Sequence, residues 1–277
     1  MTGTLFVVAT PIGNLKDITL RALETLKNVD IIACEDTRVT KKLLNHYGIT
    51  DKRLISYHEH NEKETTEKII KILKTGKNIA LVSDAGTPCI SDPGFRVVKR
   101  AWEEDITVSP IPGAFAGAVA LSASGLPTDK FLFIGFPPKK KKEKELRQSV
   151  ETGATVIMYE SPKRVIDTLT VIDRLYPDAY VVVAKEMTKI HERFFRGKPA
   201  QVIEMLSSEN LLRGEFVILV QYREKGEIDI DKIRKEGKTL LEKGYRTKEA
   251  ARILHEIYRI GKREAYRIVQ ELKNQKE

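Results

Sequence analysis

Leu81-Val82-Ser83-Asp84-Ala85-Gly86-Thr87-Pro88-Cys89-Ile90-Ser91-Asp92-Pro93-Gly94 is the stretch on which the reading of this chain turns. An apolar run from Asn78 to Val82 has the length and composition of a buried strand, and it passes directly into a polar loop broken by Gly and Pro. A helical pattern resumes at Phe95. In open α/β sheets, ligands sit outside the carboxyl ends of strands, where such loops bring backbone N–H groups and small side chains against them. Two other segments repeat the arrangement: Leu5–Ala9 runs into Thr10-Pro11-Ile12-Gly13-Asn14, and Ile106–Val108 into Pro110-Ile111-Pro112-Gly113-Ala114. One such loop needs no ligand, since Gly and Pro turns also simply join strands to helices. Three point to a shared pocket. None is a Walker loop and none matches Gly-x-Gly-x-x-Gly, so the nucleotide folds with those fingerprints are not supported.

With 277 residues the chain has room for two domains and a large core. A formal net charge of +9 favours an acidic partner, nucleic acid first among them, although a basic surface without a partner reads equally well from charge alone. Cys34 and Cys89 are the only cysteines, which argues against a disulfide scaffold or a cysteine zinc site. No run approaches the roughly 18 apolar residues of a membrane span, and the first residues show no basic leader, so a reducing cytoplasm is the expected home.

Short β-rich runs alternate with amphipathic helical patterns through the first 123 residues, as in parallel βαβ units. Strands are expected at Leu5–Ala9, Asp30–Cys34, Arg53–Ser56, Asn78–Val82 and Ile106–Val108. Asn61 followed by Glu62 and Glu64 reads as an N-cap with an acidic first turn. Residues 124–130 form a linker rich in breakers. A second α/β domain spans 131–223, with strands at Phe131–Phe136, Thr155–Tyr159, Tyr180–Ala184, Glu192–Arg196 and Glu215–Tyr222. Alternation in the last two suits antiparallel pairing and hence a mixed sheet. Helices Pro162–Leu175 and Pro199–Leu206 are expected to cover one face. From 224 to 277 the composition turns to Lys, Arg and Glu, and three short helical patterns follow at Asp231–Lys243, Lys248–Arg259 and Lys262–Lys273. The fold class is therefore α/β, two such domains with a cleft between them and a small basic helical module behind.

Chemistry is expected at the strand ends. Asp36, Asp84, Glu160 and Lys185 are the candidates for holding or accepting a proton there, each ending a strand that points at the cleft. Glu35-Asp36-Thr37-Arg38 reads equally as a helix N-terminus with an Arg partner, and Tyr159-Glu160-Ser161-Pro162-Lys163-Arg164 as a solvated helix start. His58-Glu59-His60 lacks companion ligands for a metal, so no metal is expected. The absence of Gly-x-Ser-x-Gly disfavours an acyl-transfer hydrolase. Cations gather at Lys139, Lys140, Lys141 and Lys142, at Lys163 and Arg164, and along the tail at Lys248, Arg252, Lys262 and Arg263, with Arg259 among them. Such patches track phosphates, and tyrosines 245, 258 and 266 interleave the tail cations.

Taken together, Val8-Ala9-Thr10-Pro11-Ile12-Gly13-Asn14-Leu15, Glu35-Asp36-Thr37-Arg38, His60-Asn61-Glu62, Val82 to Pro88, Ile111-Pro112-Gly113-Ala114 and Tyr159 to Arg164 resemble the tetrapyrrole-methylase superfamily. Within it they resemble the ribosomal RNA small-subunit methyltransferase I branch. The resemblance implies an S-adenosylmethionine-dependent homodimer that methylates a cytidine 2′-hydroxyl in the decoding region of small-subunit ribosomal RNA, either free or in the small subunit. It also implies a cofactor folded between the two domains, held by Pro11, by Gly86, Thr87, Pro88 and Ile90, by Pro112, Gly113, Ala114, Phe115 and Ala116, and by Tyr159, Ala184 and Glu215. Phe115 stands where relatives carry a small polar residue. A tetrapyrrole carbon methyltransferase of the same fold and a nonenzymatic RNA-binding assembly factor are the rival readings.

Overall fold

Ten short apolar runs, each too brief to close a stable helix, pair into two five-stranded sheets. The computed structural model describes residues 2–208, 212–222, 230–258 and 260–274. Contacts divide the chain into two compact units, one ending at Tyr222 and containing both sheets, the other running from 223 to the C-terminus.

The first sheet has the order β3-β2-β4-β1-β5, with β1 Leu5–Val8, β2 Ile31–Cys34, β3 Arg53–Ser56, β4 Ile79–Val82 and β5 Val108–Ile111, all parallel. Each crossover is helical: α1 Leu20–Asn28, α2 Thr37–His46, α3 Glu62–Lys74 and α4 Phe95–Glu103. Strand alternation divides the apolar side chains between two cores. Leu5, Ile31, Ile79 and Leu81 pack on Ile69 and Leu73 of α3 and Val97 of α4. Val8, Ile32, Ala80 and Val82 pack on Ala22 and Leu26 of α1 and Leu44 of α2. Burial on both faces is why β2 and β4 read as unbroken apolar runs.

Two expectations change here. The last strand runs Val108–Ile111 rather than Ile106–Val108 and takes in Pro110. It lies at the sheet edge, where a strand tolerates a residue without an N–H. Asn61 occupies the N-cap of α3 but makes no side-chain cap; its amide bridges the His58 N–H and the Ser56 carbonyl instead.

The second sheet has the order β6-β7-β10-β8-β9, with β6 Phe131–Phe133, β7 Thr155–Glu160, β8 Tyr180–Lys185, β9 Arg193–Gly197 and β10 Phe216–Gln221. β6 and β7 are parallel and every other pairing is antiparallel, the mixed sheet read from alternation. Val156, Met158, Val181, Val183 and Ile218 face α6 Lys142–Val150, α7 Val165–Leu175 and α8 Pro199–Ser208. The opposite face is not open: Ile157, Val182, Val217 and Leu219 are covered by Ala120 and Leu121 of α5 Ala116–Ser124. α5 is apolar and small all round, so it carries no stripe that would mark it in sequence. Gly125, left-handed at φ 73°, stops it. Among the described residues no helix is long and apolar enough to cross a membrane.

The second unit holds α9 Ile230–Glu242, α10 Thr247–Tyr258 and α11 Lys262–Asn274, the three helices read from the tail. Ile233, Leu240, Ala250, Leu254, Ile260, Ile268 and Val269 form its own core. Arg259, placed by sequence at the end of the second helix, lies outside the described residues.

Candidate active site

The carboxyl ends of β1, β2, β4 and β5 carry the loops on which the sequence reading rests, and those loops are tied together. Thr10 and Gly86 exchange both backbone hydrogen bonds, N to O, at 2.8 and 3.1 Å. Gly86 sits at φ 87°, a conformation that a side chain would strain. Thr10 Oγ1 donates to the Ser83 carbonyl, and Thr87 Oγ1 donates to the Ala114 carbonyl at 2.9 Å, joining the β4 and β5 loops. The β1 loop also reaches the second sheet, where the Asn14 N–H donates to Thr188 Oγ1 at 3.0 Å.

Between these loops and the second sheet lies a cavity of about 460 Å³. The first sheet contributes Ile12, Glu35, Asp84 to Thr87, Ile90 to Asp92, Phe115 and Ala116; the second contributes Phe136, Tyr159 to Pro162, Met187 and Gly214 to Val217. A smaller hollow of about 310 Å³ shares Ile12, Asp84, Ala85 and Glu215 and extends to Pro11, Gly13 and Lys189. Volume, concavity and mixed lining suit a ligand of nucleoside size. Phe115, Tyr159 and Phe136 make one wall aromatic, and with Phe133 packed behind them the rings run Phe115, Phe133, Tyr159, Phe136 edge to face, with centroids 5.1, 5.0 and 5.5 Å apart. Gly117 leaves the space Phe115 fills, since a Cβ there would stand 2.8 Å from the ring. Phe136 is 57% exposed at the cavity rim.

The cavity joins several of the residues expected to hold a cofactor: Gly86, Thr87, Ile90, Phe115, Ala116, Tyr159 and Glu215 line it, and Pro11 lines the smaller hollow. Pro88, Pro112, Gly113, Ala114 and Ala184 line neither. Gly113 packs on Ala9, where a Cβ would come within 2.7 Å, and Ala184 lies in the core beneath the floor.

The four expected proton-handling residues separate. Asp84 lines both hollows and accepts the Asp36 N–H at 3.0 Å; burial raises its carboxyl above the ordinary value. Asp36 lines neither. It caps α2 through the Arg38 N–H and is gripped by the Arg38 guanidinium, whose hydrogen bonds hold its carboxyl at about 2. Lys185 is buried at the end of β8 and also lines neither hollow. Glu160 lines the cavity, yet its side chain is fully buried and occupied. It accepts from the Ser161 N–H at 2.8 Å, from Arg164 at 3.0 Å and from the Thr168 hydroxyl at 2.7 Å.

Two acids that sequence did not single out for this role, Glu35 and Asp92, also face the cavity. Burial, then the Asp84 charge, raises Glu35. Burial carries Asp92 to about 6, against a hydrogen bond from Ser83 and with the Glu35 and Asp84 charges adding to it. Asp92 lay in the deciding loop all along. It follows left-handed Cys89 (φ 70°) and Ser91 (φ 65°), a backbone path that spacing does not reveal.

Lys139, Lys140 and Lys141 are exposed shortly after Phe136 in the chain, and Lys163 is exposed next to Pro162. Two of their expected companions are not available. Lys142 starts α6 rather than sitting in a loop, and it is only 8% exposed, with its ammonium bonded to Asp167 and Thr168. Arg164 is bound to Glu160 and the Pro137 carbonyl. Both therefore brace the lysine loop against α7. We expect Lys142→Met to lower the melting temperature and Lys139→Gln with Lys140→Gln to leave it unchanged, a contrast that thermal denaturation of the two variants measures. In the second unit Lys248, Arg252, Lys262 and Arg263 are all exposed, Arg252 lying 3.9 Å from Glu256.

Residues 4–203 match the family described as Tetrapyrrole (Corrin/Porphyrin) Methylases. Among curated proteins, the chain is 44% identical to the ribosomal RNA small subunit methyltransferase I of Synechocystis sp. over 98% of both chains. The protein of that name from Bacillus subtilis is 44% identical over 95% of this chain and 93% of its own. Among solved structures, a diphthine synthase superposes with a TM-score of 0.63 at 16% identity, covering 79% of this chain and 90% of that one. A cobalt precorrin-4 methyltransferase superposes with a TM-score of 0.57 at 16% identity, over 79% and 94%. Those structures share the fold, while the curated relatives match nearly the whole chain, helical tail included. The chain thus belongs to the tetrapyrrole methylase family and, within it, to the group of ribosomal RNA small subunit methyltransferases I.

Proposed function

We propose that this protein uses S-adenosylmethionine to methylate the 2′-hydroxyl of a cytidine in the decoding region of small-subunit ribosomal RNA, acting as a cytoplasmic homodimer. The observation that carries the reading is the cavity between the carboxyl ends of the first sheet and the facing end of the second, with its aromatic wall and carboxylates, in a chain whose relatives are named for modifying ribosomal RNA.

The residues present suit the cofactor. Left-handed Gly86 lets the backbone approach closely, and the aromatic wall offers faces for a purine or a cation. Glu35 and Asp84 place negative charge where a sulfonium and an ammonium need it. Gly86, Thr87, Ile90, Phe115, Ala116, Tyr159 and Glu215 would make the direct contacts, and Pro11 would border them. Pro88, Pro112, Gly113, Ala114 and Ala184 would set the shape of the walls from behind. When bound, S-adenosylmethionine supplies an activated methyl group on sulfur.

The chain's own contribution is alignment, exclusion of water and proton handling. Holding a hydroxyl in line with a methyl group removes several kcal/mol of barrier. Phe136, exposed at the rim, is placed to stack on the base whose sugar is presented, as aromatic side chains do with unpaired RNA bases. Lys139, Lys140, Lys141 and Lys163 would hold the flanking phosphates.

Calorimetry should show S-adenosylmethionine binding to the protein. Incubation with small ribosomal subunits from cells lacking the gene should then methylate one ribose, located by mass mapping of nuclease fragments. Binding without transfer to RNA, but with transfer to a tetrapyrrole, would favour a carbon methyltransferase. No cofactor affinity would favour an assembly factor.

A further inference from the structure

Five carboxylates line the cavity, and most are already engaged. Glu160 is saturated by three donors. Glu215 is an exposed partner of Lys189 at 3.1 Å. Asp84 accepts the Asp36 N–H, and Glu35 accepts from the Asp84 backbone. Asp92 lies beside the Ser83 hydroxyl, which donates to the Gly86 and Ala85 carbonyls at 3.3 and 3.4 Å. Its loop is fixed from several sides. Gly94 (φ 141°) packs so that a Cβ would meet Cys89 Sγ at 2.5 Å and Leu81 at 2.9 Å. The Gly94 N–H donates to Glu62, which the Tyr57 hydroxyl and Arg96 also hold. Ser91 reaches across to the second sheet, where a Cβ on Gly135 would be 2.9 Å from its hydroxyl. Left-handed non-glycine residues, locked in this way beside a cavity, are a usual sign that geometry serves a site.

We infer that the Asp92 carboxylate is the group that accepts the proton of the ribose 2′-hydroxyl. The inference rests on the proposed methyl transfer. As the oxygen–methyl bond forms, the O–H bond breaks and its proton passes to Asp92. The methyl–sulfur bond breaks with its electron pair left on sulfur, so the sulfonium charge is neutralised and one carboxylate is protonated. Facing Asp92 are Glu35 from the end of β2, Asp84 from the end of β4, the Cys89 thiol on its own loop and the Tyr159 phenol from β7. Burial first, and the two acids after it, raise its affinity for a proton toward neutrality, where a general base works best. The phenol, pushed up to about 12 by burial, stays neutral and does not compete.

The test is single-turnover methyl transfer by the full chain on unmodified small subunits. Asp92→Asn should slow transfer by roughly 10²- to 10⁴-fold while leaving the calorimetric affinity for S-adenosylmethionine within a few-fold. The unsubstituted protein should lose activity as pH falls through about 6, and the variant should lack that limb. A readout independent of activity follows from linkage. A carboxyl raised from 3.8 to about 6 stabilises the fold relatively best below 4, and that advantage is lost as pH rises through 6. At pH 7.5 the neutral Asn variant should therefore melt at or above the parent. An Asn variant within fivefold of the parent rate, one keeping the acid limb, or one melting well below the parent would each overturn the inference. Absent cofactor affinity in the unsubstituted protein would overturn the methyl-transfer reading, and this with it; intact affinity with an unaffected variant overturns the inference alone.

Discussion

Glu160→Ala should lower the melting temperature by roughly 6–20 °C, the largest fall we expect from any single side chain at the cavity. Glu160 is completely buried at the end of β7 and is the ionic partner of Arg164, itself 22% exposed. Arg164 Nε is already buried without a protein hydrogen-bond partner, so its charge depends on Glu160 and the Pro137 carbonyl. Removing one member of such a pair leaves a buried charge uncompensated, at a cost of about 3–5 kcal/mol. In a folding unit of this size each kcal/mol shifts the midpoint by about 2–4 °C. The Ser161 N–H and the Thr168 hydroxyl lose their acceptor as well. Arg164 also holds the Pro137 turn beside Phe136, so cavity geometry should loosen along with stability. Calorimetric melting of the Ala and Gln variants checks this, with Gln falling between. A variant that melts like the parent yet transfers no methyl group would instead return Glu160 to the chemistry.

That contrast shows where sequence is legible and where it is not. The parallel sheet was readable because both of its faces are buried, which forces β2 and β4 into unbroken apolar runs between punctuating loops. The mixed pairing of the second sheet was readable from alternation, and the three tail helices from stripes that recur at three and four residues. α5 escaped because a small apolar helix covered on one side has no stripe. The site was legible as loops and illegible as side-chain directions. Asp36 and Glu160 look alike in sequence, each an acid at a strand end followed closely by Arg. One turns out to solvent as a cap and the other inward to a buried pair. Lys142 reads like Lys141, but Lys141 is the left-handed N-cap of α6 and Lys142 its first residue, bonded to Asp167 and Thr168. Backbone strain at Cys89 and Ser91, which aims Asp92, has no signature in composition at all.

Substituting Lys248, Arg252, Lys262 and Arg263 together by Gln should weaken binding to small-subunit RNA by roughly 10²- to 10³-fold at 100 mM salt. The reasoning is counterion release. Each phosphate neutralised frees about 0.7 of a condensed cation from single-stranded nucleic acid, so four lost contacts reduce the slope of log affinity against log salt by about 3. All four side chains are exposed on α10 and α11, outside the Ile233, Leu254 and Ile268 core, so the helices should survive the change. Glu256, 3.9 Å from Arg252, already screens one of the four, and that position should contribute least. Deleting the chain from residue 226 onward is the coarser version of the same experiment. The cavity lies wholly in the other unit, and its affinity for S-adenosylmethionine should be the same in every variant. Titration of labelled RNA at several salt concentrations measures both affinity and slope. A loss of affinity without a change in slope would mean that the module recognises shape or bases rather than phosphates, and an unchanged affinity would remove it from RNA binding altogether.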